Sequence, residues 1–418
     1  MLRSNLEMGV NMADRALADL RVVDISQGIA GPYATKLLAD AGASVTKVEP
    51  PGGDYSRRLG PFPGDVPDPE QSGMFMHLNT GKRSITLDVS VPSGHVVLKK
   101  LLAKADVFVA GERASTLASW GLSYDDLKGE FPELIVAQVS PFGATGPYAD
   151  YDGNSLTAMA MSTIMYNTGE PDREPLTTGG APGEYLAGVH LWLGILAALE
   201  NRAKRGGGDH VDVAMTEAAA AADEYNTAMY GFQGAVRRRY YSRHIFGYPQ
   251  DIVPCADGYV VMIPGAGGFP TPLTKDTLSP MALLLEQPEL NEHPLFLSAG
   301  ERMLQWREFD ELIRPYMSTH TAAEIVMTAQ ALRMPFAFVP NAADLLSDEH
   351  LEQRQFFVRV KHAKAGEYAH AGAPFKMSET PLAVGPAPER GAANADVLGK
   401  ELGYSDDDLR ILSDQGVI

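Results

Sequence analysis

The sequence lacks the features of disulfide-stabilised, membrane-spanning and metal-binding proteins. Its 418 residues include one cysteine, Cys255, so no disulfide can form within the chain. No stretch approaches the about 18 uninterrupted apolar residues of a transmembrane helix. The ten histidines show no HxxxH or HExxH spacing. These absences argue against a disulfide scaffold, a membrane span and a histidine-based metal site.

Positive charge is also scarce. The chain has 35 Lys and Arg against 53 Asp and Glu, a net charge of −18. Nucleic acids and anionic membranes both require a basic face, so we expect neither as a partner. A local basic pocket for a phosphorylated ligand is not excluded by this balance. The first twenty residues lack the apolar core of a secretory signal, and we therefore expect a cytoplasmic protein.

What is present is the composition of a soluble globular protein, with 45% hydrophobic and 21% charged residues. Short apolar runs rich in β-branched residues alternate with helical patterns. This order predicts an α/β fold with a parallel sheet and a ligand crevice at the carboxyl ends of the strands. The first turn lacks GxGxxG, so no nicotinamide dinucleotide site is predicted. The predicted strands span residues 20–26, 43–48, 85–89, 105–109 and 134–139, and the first helices span 33–41 and 91–104.

A basic pair, Lys82 and Arg83, follows the turn at Gly81. A Lys-Arg pair beside a glycine turn is the type of feature that holds phosphate groups. A solvated pair of surface charges would give the same pattern. The residues alone leave both interpretations open.

Residues 168–202 join a glycine-rich loop to a long apolar helix, with Glu184 at the junction. The apolar residues after Glu184 point in nearly every direction around the helix, which predicts that the helix is buried. An acid in the first turn of a buried helix is directed into the protein or into a cleft. The alternative is an acid that only satisfies backbone N–H groups at the helix start.

Several motifs occur in an order that resembles one known family. They are AGPYATKLLADAGASVTKVEPPGGD, LNTGKRSITLDV, ADVFV, GLSYDDL, FGATGPYAD, TGGAPGE, LGILAALENR, HVDVAM and LGYSDDDL. Over residues from about 20 to 418 the chain resembles the class III CoA-transferases, the CaiB/BaiF or formyl-CoA transferase-like family. Single pieces are weak signals, but their shared order is specific.

The resemblance implies a Rossmann-like large domain with a parallel sheet, a smaller α/β domain, and two chains interlocked as a dimer. It predicts the large domain at residues 1–215 and 335–418, a linker at 216–250 and the small domain at 251–334. The dimer would be a homodimer, or a heterodimer with a related subunit.

The resemblance also implies the chemistry. In this family an aspartate attacks an acyl-CoA thioester, giving an enzyme anhydride and then an enzyme–CoA thioester that a second carboxylate collects. That aspartate corresponds to Glu184 here. The implied function is transfer of coenzyme A from an acyl-CoA, such as succinyl-CoA, to an organic acid. No tightly bound cofactor is expected, since coenzyme A is a substrate.

The positions expected to contact coenzyme A are carried over one by one from the family's pattern. The chain departs from that pattern at Ala110-Gly111-Glu112, where an adenine-facing aromatic and an amide are missing, and at Pro141, where a glycine often stands. The predicted contacts are Ile29, Ala30, Leu78, Asn79, Gly81, Arg113, Ser140 and Gly143.

Two alternatives stay open. The chain could be a non-catalytic or half-competent subunit of a hetero-oligomeric transferase, one acting for example on an aryl-substituted succinate, whose partner carries the aspartate. It could also be an acyl-CoA racemase, a class that uses a histidine and an acid as bases. Those bases would fall on Asn154 and Ser155, and neither side chain supplies a titratable group for proton abstraction.

Overall fold

The computed structural model describes residues 15–239, 248–263 and 275–418. Part of the predicted linker and part of the predicted small domain therefore lie outside the described residues. The chain forms two compact units. The larger consists of residues 1–165, 177–235 and 349–418, and the smaller consists of residues 166–176 and 236–348.

The larger unit is built on a six-stranded sheet with strand order β3-β2-β1-β4-β5-β6. Every neighbouring pair is parallel, which confirms the predicted Rossmann-like α/β architecture. The strands form because β-branched runs, buried on both faces, favour parallel sheets. Their bounds are β1 Arg21–Asp24, β2 Ser44–Glu49, β3 Arg83–Thr86, β4 Val107–Ala110, β5 Ile135–Ser140 and β6 His210–Ala214.

Helices cover both faces of this sheet. Val22 and Val107 belong to one apolar core, and their neighbours Val23 and Phe108 belong to another, because successive side chains of a strand point to opposite faces. The helices are α1 Ala30–Asp40, α2 Gly73–Leu78, α3 Pro92–Leu102, α4 Ala114–Ser119, α5 Tyr124–Leu127, α6 Ser155–Ala160, α7 Pro182–Arg205, α8 Met215–Ala221 and α9 Glu224–Gln233.

The smaller unit combines a three-stranded antiparallel sheet of order β7-β8-β9 with helices around its own core. Its strands are β7 Asp251–Cys255, β8 Gly258–Met262 and β9 Ala337–Phe338. Its helices are α10 Lys275–Leu284, α11 Pro294–Leu297, α12 Ala299–Leu304, α13 Trp306–Thr319, α14 Ala322–Ala331 and α15 Ala342–Leu346. The chain then returns to the larger unit with α16 Glu349–Gln353, the hairpin β10 Phe357–His362 and β11 Gly366–Ala371, and α17 Asp406–Asp414.

Several local expectations differ from the structure. Because β9 pairs with β8, the smaller sheet extends past residue 334, and α8 and α9 occupy part of the predicted linker. The domain bounds otherwise stay a prediction. The segment after Asn341 forms two short helices, α15 and α16, with Ser347 ending the first. Within the described residues, no helix is long and apolar enough to cross a membrane.

The prediction that the helix after Glu184 is buried all round is wrong for the single chain. Helix α7 buries one face, including Leu191 and Ile195, whereas Leu193 on another face is 50% exposed. The buried positions recur every three or four residues because only that side packs against the sheet and α1. An apolar composition around the whole helix does not by itself supply neighbours on every side.

Candidate functional site

Glu184 lies in the first turn of α7 and is only 9% exposed. Pro182 begins the helix, where its fixed φ angle and missing N–H are tolerated. Gly183 precedes Glu184, and a Cβ atom at Gly183 would lie 3.2 Å from the sulfur of Met159. The sequence therefore brings the start of α7 tight against α6 and fixes the carboxylate at the end of a 24-residue helix.

The carboxylate of Glu184 has a neutral partner and no cation. Its Oε1 accepts a hydrogen bond from the backbone N–H of Ser155 at 3.2 Å. Among the described residues no ion pair involves Glu184. Burial raises the pKa of Glu184, and the Ser155 N–H offsets this only in part. The group is therefore a desolvated carboxylate that no lysine or arginine of the described segments neutralises.

Glu184 lines a cleft of about 340 Å³. Of the described residues that line this cleft, it is the only carboxylate. Apolar side chains from several elements and the glycine-rich loop before α7 form the remaining walls. The lining residues are Ile29, Tyr55, Leu59, Asn154, Ser155, Leu156, Met159, Thr177, Thr178, Gly180, Ala181, Pro182 and Glu184.

Helices α1 and α7 cross closely behind the cleft. A Cβ atom at Gly188 would lie 2.7 Å from the carbonyl oxygen of Ala30, so glycine permits this approach. The rings of Tyr33 and Tyr185 pack edge to face, 4.9 Å apart, and His77 lies 6.3 Å from Tyr185. This aromatic cluster fixes the residue that directly follows Glu184.

A buried network of charges lies where β1 and β2 end. Lys47 pairs with Asp54 at 2.8 Å, and Lys82 pairs with Asp24 at 3.3 Å. Burial alone would raise the pKa of Asp24, but Lys47 and Lys82 hold it below its usual value. Arg57 binds both carboxylate oxygens of Glu49, at 2.6 and 2.7 Å. In this network the carboxylates are neutralised by cations from other parts of the chain.

For Lys82, this network contradicts both interpretations of the Lys82-Arg83 pair. The ammonium of Lys82 is buried and also donates to the carbonyl of Pro32 and to Asn79 Oδ1, each at 2.9 Å. Burial lowers the pKa of Lys82 to about 7. Arg83 instead forms a surface ion pair with Glu401. Lys82 is thus neither a solvated charge nor, with its donors engaged, a free phosphate ligand.

The predicted coenzyme A contacts fall into three places. Ile29 lines the cleft beside Glu184, and Ala30 follows it as the first residue of α1. Leu78 and Asn79 are buried at the end of α2, with the Asn79 amide donating to the carbonyl of Phe75. Gly81 is exposed in the turn that follows.

Arg113, Ser140 and Gly143 lie at the carboxyl ends of β4 and β5. Arg113 binds the carbonyl of Asp150 at 2.9 Å and the carboxylate of Asp152 at 3.0 Å. Ser140 is fully buried, and its hydroxyl has no hydrogen-bond partner in the described part of the chain. Beyond Gly143 (φ 83°), the N–H of Ala144 donates to Asp212.

A short loop connects these residues to the cleft. Gly153 packs against Pro141, since a Cβ atom there would lie 2.6 Å from the Pro141 Cβ. The next residue, Asn154, caps α6, and its Oδ1 accepts from the N–H of Thr157. Ser155 then donates to Glu184. The coenzyme A roles of all eight residues stay a prediction. Ser140 and Gly143 lie at the start of the loop that leads to Ser155, and Arg113 contacts the same loop at Asp150 and Asp152.

The sequence reasoning missed Tyr55 and the Ser155 N–H as parts of the site. Both are placed by contacts between distant residues, so no local motif marks them. The only sequence signal was the position of Gly28 in the first βα turn, because that turn lies at the sheet edge where a crevice forms.

Comparisons with known proteins agree with this geometry. The pattern described as CoA-transferase family III matches residues 17–394. A succinyl-CoA–D-citramalate CoA-transferase of Chloroflexus aurantiacus is 34% identical, covering 97% of this chain and 98% of that protein. A succinyl-CoA–L-malate CoA-transferase beta subunit of the same organism is 32% identical, covering 96% and 98%. A CaiB/BaiF family protein from Brucella suis superposes with a TM-score of 0.82 at 26% identity, covering 93% of this chain and 99% of that one.

Proposed function

Because the chain belongs to CoA-transferase family III, we propose that it moves coenzyme A from succinyl-CoA to the carboxylate of another organic acid, with Glu184 as the nucleophile. The protein is a CoA-transferase, and CoA thioesters are its substrates. The choice of succinyl-CoA as donor is supported by relatives whose names specify it.

One observation carries the role of Glu184. Among the described residues it is the only carboxylate lining a cleft of about 340 Å³, and no cation there pairs with it. A carboxylate held in an ion pair is a poor nucleophile because the cation stabilises its charge. Among the described residues, Glu184 accepts a hydrogen bond only from the Ser155 N–H, so only this bond must be broken before its carboxylate attacks.

The reaction proceeds through two kinds of covalent intermediate on Glu184, a mixed anhydride and a CoA thioester. An oxygen of Glu184 attacks the thioester carbon, the carbon–sulfur bond breaks, and a mixed anhydride and a CoA thiolate result. The thiolate attacks the Glu184 carbonyl and expels succinate, leaving an enzyme–CoA thioester. The acceptor carboxylate then attacks this thioester, and the thiolate returns to the acceptor's acyl carbon. Glu184 is regenerated as a carboxylate.

Glutamate at this position adds one methylene to the aspartate that the resemblance predicts. A shift of about 1 Å in a reacting atom can cost about 10²-fold in rate. Helix α7 fixes the backbone of Glu184, so the longer side chain must reach a thioester bound farther from the helix. The surrounding wall residues, Met159 and Ile29 among them, would set that distance.

Trapping tests this proposal. The purified chain is incubated with succinyl-CoA, quenched with hydroxylamine or borohydride, and digested for mass spectrometry. We expect a hydroxamate or an alcohol at Glu184, none in Glu184→Gln, and an unchanged adduct in Glu200→Gln, an exposed acid on the same helix. An unmodified Glu184 peptide in an active preparation would contradict the nucleophile assignment.

A second candidate function is that of a subunit without activity of its own, supported by the relative named as a beta subunit. In that case the isolated chain would form no adduct, and activity would appear only with a second subunit. An adduct at Glu184 in the isolated chain excludes this candidate. Nothing favours a racemase, since the side chain of Asn154 accepts a helix-capping hydrogen bond and has no titratable group.

A further inference from the structure

Tyr55 shares the cleft with Glu184 and has no role in the steps above. It begins a single turn of 3-10 helix, Tyr55–Arg58, whose start is fixed by Asp54. The Asp54 carboxylate accepts from the N–H of Ser56 at 2.8 Å and from that of Gly28 at 3.2 Å. The backbone of Tyr55 is therefore held to the loop that leads into α1.

The position of the Tyr55 ring depends on Gly28. Gly28 has φ of 79°, and a Cβ atom there would lie 1.8 Å from the Tyr55 hydroxyl. The hydroxyl therefore rests directly on the backbone of the first βα turn, one residue before Ile29 of the cleft wall. A side chain at position 28 would displace it.

The Tyr55 hydroxyl is available as a donor. Among the described residues it has no hydrogen-bond partner, while its backbone N–H donates to Gln27 Oε1 at 3.3 Å. Burial, followed by the charges of Glu184 and Asp54, raises the pKa of Tyr55 to about 12. The phenol thus stays protonated throughout the neutral range and keeps its O–H.

We propose that Tyr55 donates a hydrogen bond to the oxyanion that forms when the thioester carbonyl is attacked in this cleft. The inference rests on the proposed role of Glu184. Attack turns the carbonyl oxygen into an alkoxide, and a fixed donor stabilises that charge more than it stabilises the uncharged carbonyl. Tyr55 keeps its proton throughout, so no proton acceptor is needed.

This placement also explains why an uncharged donor stands beside Glu184. A lysine or arginine would stabilise the oxyanion, but it would equally pair with the Glu184 carboxylate in the ground state. A neutral phenol helps the transition state without neutralising the nucleophile. Of the other polar side chains of the cleft, Thr177 donates to the carbonyl of Thr178 and Asn154 Oδ1 caps α6, while the hydroxyls of Ser155 and Thr178 also line it.

The test is Tyr55→Phe, which keeps the ring over Gly28 and removes only the hydroxyl. Removing one oxyanion donor costs about 10²- to 10³-fold in kcat. We expect a fall in kcat of that order, with KM for succinyl-CoA changed less than about threefold, because the donor acts mainly in the transition state. The rate of Glu184 adduct formation in a single turnover should fall by the same factor.

Matched controls separate the possible outcomes. Tyr368→Phe, a half-exposed tyrosine of β11 outside the cleft, should retain full activity. Unchanged thermal unfolding of Tyr55→Phe would show that the fold is intact. If Glu184→Gln is inactive and Tyr55→Phe keeps kcat within about twofold, the oxyanion role is overturned while Glu184 stands. If Glu184→Gln is fully active, the proposed function itself fails. A rise in KM with unchanged kcat would make Tyr55 a binding residue and also overturn the proposal.

Discussion

Three buried carboxylates in the larger unit have cationic partners, whereas a fourth, Glu184, has none among the described residues. Asp24, Asp54 and Glu49 are each paired with a lysine or arginine, and their pKa values are held low. Glu184 is also buried, but its only described partner is a backbone N–H, and its pKa is raised. The three paired carboxylates stabilise the sheet edge beside the cleft. Glu184 is destabilised by desolvation and is more reactive for that reason, as is typical of active-site groups.

The comparison also separates what each group contributes to stability. A buried carboxylate with a cation becomes strongly destabilising only when its partner is removed. A buried carboxylate without a cation is destabilising while it is ionised. Removing the charge of Glu184 should therefore leave the free energy of unfolding unchanged or raise it, and should stop the transfer reaction. Removing Lys47 should mainly lower the free energy of unfolding.

Glu184→Gln is expected to have the largest effect. The amide cannot attack the thioester, so the transfer rate should fall on the order of 10⁴-fold or more, about 5.5 kcal/mol in the barrier. Thermal unfolding should occur at the same or a higher temperature, because an unpaired buried charge is lost. Steady-state transfer assays and calorimetry measure the two effects. A marked loss of stability would place Glu184 with the structural carboxylates.

Lys47→Met tests the other side of the comparison. The change leaves Asp54 and Asp24 without one of their cations in a buried site, which should cost about 3–5 kcal/mol of unfolding free energy. Denaturant unfolding measures this cost. Lys99→Met is the matched control, since its pair with Glu130 is exposed and worth about 0–1 kcal/mol. Similar losses in both variants would contradict the structural role of the network.

Glu184→Asp sharpens the geometry of the nucleophile. The carboxylate is kept but is drawn back by one methylene, so the rate should fall about 10²-fold, roughly 2.7 kcal/mol. Adducts should still form at residue 184, only more slowly, in the trapping assay. A rate equal to or above that of the native chain would show that the cleft accepts either length and that the glutamate is not fitted to it.

The pH dependence of activity, which reports on Glu184, should differ from the pH dependence of stability, which reports on the ion network. Glu184 must be ionised to attack, and its pKa is raised above 4.5, so kcat/KM should fall as the pH drops through that raised value. The carboxylates of the ion network have lowered pKa values. Their stabilisation is present above the unfolded values near 4 and is lost only as the pH falls through their lower folded values.

Activity should therefore disappear on acidification before the network unfolds. Parallel measurement of kcat/KM and of the far-ultraviolet circular dichroism signal from pH 8 downward gives the two midpoints. The sign for Glu184 is opposite to that of the network, because a raised folded pKa contributes stability below pH 4.5 and loses it as the pH rises. Coincident loss of activity and structure would contradict the separation.

Much of the fold followed from short-range patterns. The five predicted strands of the parallel sheet are confirmed because each is a short run rich in β-branched residues or alanine. The helices that start after Ser123, Asn341 and Ser405 each have a capping box, which depends only on residues three positions apart. The ordered motifs also led to Glu184 without any knowledge of its surroundings.

The environment of each charge could not be predicted in the same way. The residues around Lys82 leave its environment open, and it is buried because Asp24 lies beside it from a strand 58 residues away. Arg57 is likewise buried against Glu49, 8 residues away. Tyr55 is placed by Gly28, on another loop. The exposed face of α7 at Leu193 likewise depends on which elements pack beside the helix.

The sequence by itself thus determined which segments form strands, where the helices are capped and where the carboxylate lies along the chain. Propensity, capping and apolar periodicity all act over a few residues. Only the tertiary structure decided which buried carboxylates are neutralised and which is left unpaired. Electrostatic energy depends on distances between elements far apart in the chain. In the described part of this protein those distances place Lys47 and Lys82 beside Asp24, and they leave Glu184 with one backbone N–H donor and an open cleft.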